Sequence, residues 1–459
     1  MHLIHRKTCR VCGSASLTRV IGLGEQFLQG AFVKDGLPLP PQRRIPLTLV
    51  RCDPTRDENA CGLLQMEHSV PPEVLYSSYW YRSGTNHTMR EHLRGIAGEA
   101  AAMVGDGART VLDIGCNDGT LLNCYPASYK KFGVDPSDVA QSTGPDIHLV
   151  RDIFPSAELG AALAGRQCDI VTSIAMFYDL EDPIGFARAV RDILAPEGVW
   201  VLEMSYMPTM LEMNSYDTIC HEHLEYYSLA LLERIMRAAG LKVFSVSLNS
   251  INGGSIRCFV THETNFRQRG PEHAAQLRTL RRQEFDLELD TDKPYRNFQS
   301  RIDRHRDELS ALLKKLKGEG KQIHIYGAST KGNTILQWCG IDKSIITVAA
   351  ERNPDKYGAR TLGGDQNFEW RYVSVRRTFL YLAKSIDAGT QWVVFEPNDM
   401  ALWGKVKRNL SAFLTTQWRN GMLFGATPEE AFFVKCDAEN NPPDTREVGQ
   451  LIIEVGVAI

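Results

Sequence analysis

Val111-Leu112-Asp113-Ile114-Gly115-Cys116-Asn117-Asp118-Gly119-Thr120 is an apolar run that breaks into a glycine-spaced turn where a periodic helix could begin. Glycines at 115 and 119 let the backbone come close to a ligand, and a following helix would offer it unpaired N–H groups. A second apolar run, Lys131-Phe132-Gly133-Val134, ends in Asp135, about 20 residues past the turn, where a carboxylate can accept from ribose hydroxyls. An ordinary strand-to-helix connection would explain the turn alone, and Asp135 weighs against it. Dinucleotides and S-adenosylmethionine (SAM) both satisfy this pattern. The loop reads Gly-Cys-Asn-Asp-Gly rather than Gly-x-Gly-x-x-Gly, which makes SAM the better fit. The expected cofactor residues are therefore Asp113, Gly115, Asn117, Asp118, Gly119 and Asp135.

Outward from the turn, strands and helices alternate up to about Thr264. The pattern predicts an α/β fold with a doubly wound, Rossmann-like sheet. Candidate strands are 111–114, 131–134, 170–174, 199–204, 242–246 and 256–260, with helices over 183–194 and 229–239. Asp152, on the loop after a third strand, can accept from an adenine amino group or can be a solvated carboxylate. Upstream, a helical stretch from Met89 to Met103 stops at Gly105-Asp106-Gly107. Residues 266–321 are highly charged with apolar residues at helical spacing (Leu277, Leu280, Phe285, Leu287; Leu309, Leu312, Leu313, Leu316), as in solvent-faced connecting helices. A new strand-turn-helix opens at Ile323-His324-Ile325-Tyr326-Gly327-Ala328-Ser329-Thr330-Lys331-Gly332-Asn333, and another strand follows at 345–350. Together they read as a second Rossmann-like half.

A chain of 459 residues has room for about three domains. Its net charge of −3 argues against non-specific nucleic-acid binding. No apolar run reaches the ~18 residues needed to span a bilayer, and the first residues are too polar for a signal peptide. Eleven cysteines scattered through expected core elements fit a reducing compartment without disulfides, so a cytoplasmic location is expected.

Three clusters could carry chemistry. Cys9-Arg10-Val11-Cys12-Gly13 has the spacing that lets two thiolates meet one tetrahedral zinc. Cys52 and Cys61 are the only candidates for the second pair before the cofactor domain, with 53–59 as a looped insertion. Four thiolates would close the coordination shell, making the metal structural; free thiols in a small domain are the alternative. Tyr216-Asp217-Thr218-Ile219-Cys220-His221-Glu222-His223-Leu224-Glu225-Tyr226-Tyr227 lies beyond the fifth expected strand, where loops of a doubly wound sheet face the ligand. His221 and His223 share a side only on extended backbone. His223 then serves as a general base with Glu222 nearby, or it is a loop histidine satisfied by backbone carbonyls. Finally, Tyr76, Tyr79, Tyr81, Arg82, Ser83 and Asn86 form an aromatic and polar run that can close the pocket or pack between domains.

These residues together resemble the SAM-dependent C-methyltransferases of nucleotide-linked 4-keto-deoxyhexoses, over about residues 9–362. The resemblance rests on the Cys-x-x-Cys start, Tyr79-Trp80-Tyr81-Arg82-Ser83, the 114–122 turn, Ile219-Cys220-His221-Glu222-His223, Gly253-Gly254-Ser255-Ile256-Arg257, and Tyr326-Gly327-Ala328 with Arg352-Asn353-Pro354-Asp355-Lys356. It implies an N-terminal zinc module (1–70), a class I methyltransferase domain (71–264), connecting helices with a partial Rossmann-like domain that helps hold a nucleotide-linked sugar (265–362), and Tyr81 and Ser83 among the cofactor residues. It further implies that His223 removes the proton beside the ketone, with His221, Glu222 and Tyr226 in the catalytic group. The family motif often has Tyr where Cys220 stands, so a phenol at that place is missing and Tyr226 or Tyr178 could substitute. A His often found after the fourth strand is also missing at Phe177-Tyr178-Asp179.

Beyond about Gly363 the family's remaining strands do not appear. Trp392-Val393-Val394-Phe395-Glu396-Pro397-Asn398, Gly425 through Asp437 and Ile452 through Ala458 instead resemble the C-terminal domain of contractile phage tail sheath proteins, over about 358–459. That resemblance implies self-association by strand addition to a neighbour, with an arm cut short at Ile459. The chain thus reads as a fusion with its seam at 357–362. The expected activity is methyl transfer to the carbon beside a sugar ketone. The alternatives are O- or N-methyl transfer to a small molecule, and a phage-tail-like structural protein with an inert methyltransferase-like body.

Overall fold

A computed structural model describes residues 3–30, 32–34, 44–71, 74–75, 81–107, 109–265, 271–327, 329–346, 348–350, 359–361 and 373–458. Two compact units result: Met1–Ala349 with Asn353–Gln366, and Asn367–Ile459 with Ala350–Arg352.

The first unit is built on seven strands: β1 (Thr110–Ile114), β2 (Lys130–Val134), β3 (Ile147–Val150), β4 (Cys168–Ile174), β5 (Leu194–Ser205), β6 (Leu241–Asn249) and β7 (Ser255–His262). They lie in the order β6-β7-β5-β4-β1-β2-β3. The pairs β1–β2, β2–β3, β4–β1 and β4–β5 are parallel, whereas β7 runs antiparallel to both β5 and β6. Because the chain crosses from β3 back to β4, the direction of winding reverses between β1 and β4. The carboxyl ends of those two strands therefore flank the crevice where such sheets bind ligands. Alternation along β1 sends Val111 to one face and Leu112 and Ile114 to the other, and both faces are covered. One cover is the helix His87–Val104, whose buried Leu93, Ile96, Ala97, Ala100 and Val104 keep the helical period.

The helix expected after the glycine turn is reduced to one 3-10 turn, Leu122–Cys124. Pro126 explains the stop: it holds the preceding Tyr125 in extended geometry (φ −80°, ψ 152°). The turn therefore lacks the N-terminus of a long helix.

The N-terminal segment forms an antiparallel sheet of Leu17–Gln26, Ile45–Cys52 and Leu64–Met66. Its fourth strand, Glu225–Tyr226, comes from the loop after β5, so the order is Glu225–Tyr226, Leu64–Met66, Ile45–Cys52, Leu17–Gln26. The charged region forms helices Pro271–Asp286 and Lys293–Gly318. These are more than connectors. Tyr295, Phe298 and Ile302 are buried against Ile21, Leu47 and Leu64 of the N-terminal sheet. Glu284 accepts from the backbone N–H groups of Leu229 and Ala230, capping the helix Leu229–Ala238. Phe285 and Leu312 do remain exposed. Next come a short strand His324–Tyr326, a helix Thr330–Trp338 capped by the Ser329 hydroxyl, and a strand Val348–Ala350 paired with the first.

The second unit contains helices Val373–Thr390 and Met400–Arg419 and the antiparallel pair Phe432–Lys435 and Glu454–Val457. Leu402, Trp403, Val406, Leu410 and Cys436 form its core. Among the described residues no helix is long and apolar enough to cross a membrane.

Candidate functional site

The glycine turn is shaped by its backbone. Gly115, Asn117 and Gly119 all have positive φ (76°, 51° and 73°). A Cβ at Gly119 would stand 2.8 Å from Ile147 Cδ1, so glycine there meets both a conformational and a steric demand. Asp135, at the end of β2, accepts from Asn117 N at 2.8 Å and Ser137 N at 2.8 Å, which ties the turn to the second strand. Asp113 lies beneath the turn, hydrogen-bonded by Thr172 Oγ1 at 2.6 Å. Burial, reinforced by Asp135, pushes its carboxyl up to about 7.

The side chains of Asn117 and Asp118 are directed to the Tyr81–Gly84 segment. Asn117 Oδ1 accepts from Ser83 N at 3.0 Å while its Nδ2 donates to Tyr81 O at 3.0 Å, and Asp118 Oδ2 accepts from Gly84 N at 2.8 Å. Four expected cofactor residues are thus brought into one assembly, with Tyr81 exposed at its edge. Asp152 is exposed at the end of β3, where it accepts from Ile153 N. Tyr76 and Tyr79 lie outside the described residues, as do the Arg352–Lys356 motif and half of the 357–362 seam.

In the histidine loop the two rings have different surroundings. His221 is buried between the loop and the N-terminal sheet, with Nδ1 2.7 Å from Gln29 Oε1 and Nε2 3.3 Å from Ile45 O. Burial pushes it down to about 4, so it is neutral and donates to one of two protein acceptors. It serves as a tie. His223 is half-buried, and its Nδ1 lies 2.7 Å from the Thr218 carbonyl. A carbonyl can only accept, so Nδ1 carries the proton and Nε2 the lone pair. Nε2 has no hydrogen-bond partner among the described residues. Desolvation, with the nearby Lys331 ammonium, pushes His223 down to about 3. Tyr178 packs on the ring at 4.1 Å between centroids. Tyr226 is buried with its hydroxyl 3.5 Å from the same Thr218 carbonyl, and Cys220 is fully buried. Glu222 lies beside Gly30, where a Cβ would collide with its carboxylate.

Lys331 was not among the expected site residues. Its helix is docked on the loop by Thr334 Oγ1, which donates to Ile219 O at 3.0 Å, and by Asn333 Nδ2, which donates to Gln29 O at 2.6 Å. Lys331 Nζ donates to Asn252 O at 2.8 Å, in the turn between β6 and β7. Gln29, also unexpected, ties His221 and Asn333 to the N-terminal module. Partners 79 to 304 positions apart leave no spacing signal; the strand-turn-helix opening at 323 was the only clue.

Cys9, Cys12, Cys52 and Cys61 come together with all four Sγ atoms within 4.8 Å of one another. The pairs Cys9–Cys61 and Cys12–Cys52 are each 3.4 Å apart. A tetrahedral zinc with bonds of about 2.3 Å needs sulfurs roughly 3.8 Å apart, so the donor set fits. Backbone N–H groups of Val11 and Cys61 point at Cys9 and Cys52 sulfurs, as thiolates require. The long Cys52–Cys61 insertion is held by Asp53, which accepts from Thr18 Oγ1, Thr55 and Arg51.

Four family models match successive parts of the chain: "Putative zinc binding domain" over 9–76, "Methyltransferase domain" over 85–246, "C-methyltransferase C-terminal domain" over 250–366 and "Phage tail sheath C-terminal domain" over 365–459. The C-methyltransferase NovU of Streptomyces niveus is 29% identical over 359 residues, covering 76% of this chain and 82% of NovU. A SAM-dependent methyltransferase from Clostridium acetobutylicum is 14% identical with a TM-score of 0.31, over 38% of this chain and 92% of that one. A chain of the anti-feeding prophage baseplate is 31% identical with a TM-score of 0.20, over 27% of this chain and 35% of its own length. Both resemblances drawn from the sequence, to the methyltransferases and to the sheath domain, are borne out by the family models.

Proposed function

We propose that this SAM-dependent methyltransferase, with its zinc-binding module and sheath-like C-terminal domain, methylates the carbon beside the ketone of a nucleotide-linked keto-deoxysugar. The observation that carries the reading is His223: a neutral imidazole, its Nδ1–H fixed on a carbonyl, its Nε2 open among the described residues, and a lysine ammonium nearby. That arrangement suits removal of a proton from carbon. A ketone acidifies the neighbouring C–H, and the enolate oxygen that forms is stabilised by a cation or donor close by. Lys331 is the candidate, with Tyr178 next to the base.

Bound SAM supplies an electrophilic methyl group. The chain's own part is to hold the cofactor over the carboxyl ends of β1 and β2, through the 115–119 turn, Asp135 and the 81–84 segment, and to orient the sugar toward His223. We assign His221 and Glu222 to positioning rather than proton transfer. Tyr226 buttresses Thr218. Asp152 remains a candidate for the adenine edge. The helix Thr330–Trp338 brings the second Rossmann-like part to the loop, where it is suited to hold the nucleotide. We take the domain limits as 1–70, 71–264, 265–362 and 363–459, and assign self-association to the last. Eleven cysteines, none in a disulfide, accord with work in the cytoplasm.

Heavy water tests the reading. With ketosugar and enzyme but no methyl donor, deuterium should enter beside the ketone. No exchange, combined with methylated oxygen or nitrogen in the product, would establish O- or N-methyl transfer instead.

A further inference from the structure

Outside the cysteine cluster, the N-terminal module brings together a second set of metal-ligand side chains. The strand Ile4–His5 pairs antiparallel with His68–Ser69, and the register places His5 directly opposite His68. Their rings stack at 5.0 Å between centroids. Glu67, one residue before His68, points its carboxylate at both: Oε1 is 3.5 Å from His5 Nε2 and Oε2 is 3.8 Å from His68 Nδ1. One ligand atom from each of the three lies within 4.8 Å of the others.

From this juxtaposition we propose that His5, Glu67 and His68 form a second, exchangeable site for a borderline divalent cation such as zinc. Two imidazole nitrogens and one carboxylate oxygen are the donors such an ion prefers, and modest side-chain rotation brings ligand atoms already within 4.8 Å of one another around one ion. Among the described residues His68 Nδ1 is buried without a hydrogen-bond partner, an arrangement that costs free energy unless something binds there.

The surroundings set the strength. The site borders a cleft of about 530 Å³ lined by Arg6, Lys7, Arg19 and Arg56. Three of these cations already face carboxylates: Arg6 with Glu181, Arg56 with Asp53 and Arg19 with Glu67 itself. Arg19 Nε donates to Glu67 Oε1 at 2.8 Å, so a metal would take Oε2 and share the carboxylate. His5 is exposed, and three protein ligands leave coordination positions open to water. Both features make the ion exchangeable, unlike one enclosed by four thiolates. Its effect would be to pin the first strand to the module.

Metal content of the full chain tests this. After equilibration with micromolar zinc chloride, the parent protein should hold two zinc ions per chain, one of them removed quickly by a mild chelator. His68→Ala and Glu67→Gln should each hold one, with the slowly exchanging ion retained as proof that the module is folded. A parent with a single zinc, or variants that keep the fast-exchanging ion, would overturn the proposal. Cobalt substitution adds a second readout, since the cysteine cluster alone gives sulfur-to-metal charge transfer and the second ion should add only weak visible bands.

Discussion

His221 and His223 stand two positions apart and have opposite surroundings. One has both nitrogens beside protein acceptors; the other has one nitrogen fixed and, among the described residues, one open. Replacing His223 with alanine should therefore abolish both methyl transfer and deuterium exchange, a loss of 100-fold or more, while SAM affinity measured by calorimetry stays within about twofold. Retained exchange would remove it as the base. His221 predicts a different observable. Its folded value, about 4, lies below the ordinary 6.5, so the unfolded chain takes up the proton first. Stability should be full above pH 6.5 and fall as the pH drops toward 4, by up to about 3 kcal/mol from this one ring. Urea midpoints at pH 7.5 and 5 would show it, and His221→Asn should flatten the slope. The sequence favoured His223 as the base but could not show why the two rings differ. Gln29, Ile45 and Thr218, which distinguish the rings, are set by tertiary contact.

At the level of elements, the strands of the seven-stranded sheet were readable because each carries a buried apolar run between turn residues, and the structure moves their expected ends by up to five positions; the N-terminal strands, in a segment read only as short apolar runs, were not. The helix after the glycine turn was not, because Pro126 acts on Tyr125 from outside the periodic window. Asn117 and Asp118 were rightly placed in the turn, yet their side chains hold the 81–84 segment, a pairing of backbone to side chain that no sequence period reports. The zinc knuckle was legible from Cys9 and Cys12, and the wide Cys52–Cys61 spacing proved compatible because Asp53 organises the insertion. Cys12→Ser should cost the tightly held zinc, lower the melting temperature and reduce turnover, because the same sheet takes its fourth strand from the histidine loop. Metal analysis alongside a melt decides it: unchanged zinc content would show that Cys12 is no ligand.

For the whole molecule, two separate cores predict two transitions. Among the described residues each unit has buried clusters of its own: the sheet core and the Leu402–Trp403–Val406 core contain different residues. Urea unfolding should resolve into two steps, with excess SAM shifting only the one that belongs to the methyltransferase unit. A single transition displaced as a whole by SAM would show the two folding as one. The joining of these two folds was visible in the sequence because each part keeps its own motifs. How the connecting helices pack was less so: their charge suggested solvent, while Tyr295, Phe298 and Ile302 form a narrow stripe inside an otherwise polar surface.

The sheet that takes Glu225–Tyr226 as its outer strand has a bearing on synthesis. Leu64–Met66 leaves the ribosome about 160 residues before the strand that covers its edge, and Met66 N awaits the carbonyl of Leu224. Until then the nascent chain carries an open strand edge, the kind of surface that invites pairing with another chain. Closure of the N-terminal sheet therefore waits for the histidine loop, and the methyltransferase core waits longer, for β6 and β7, which follow that loop in the chain.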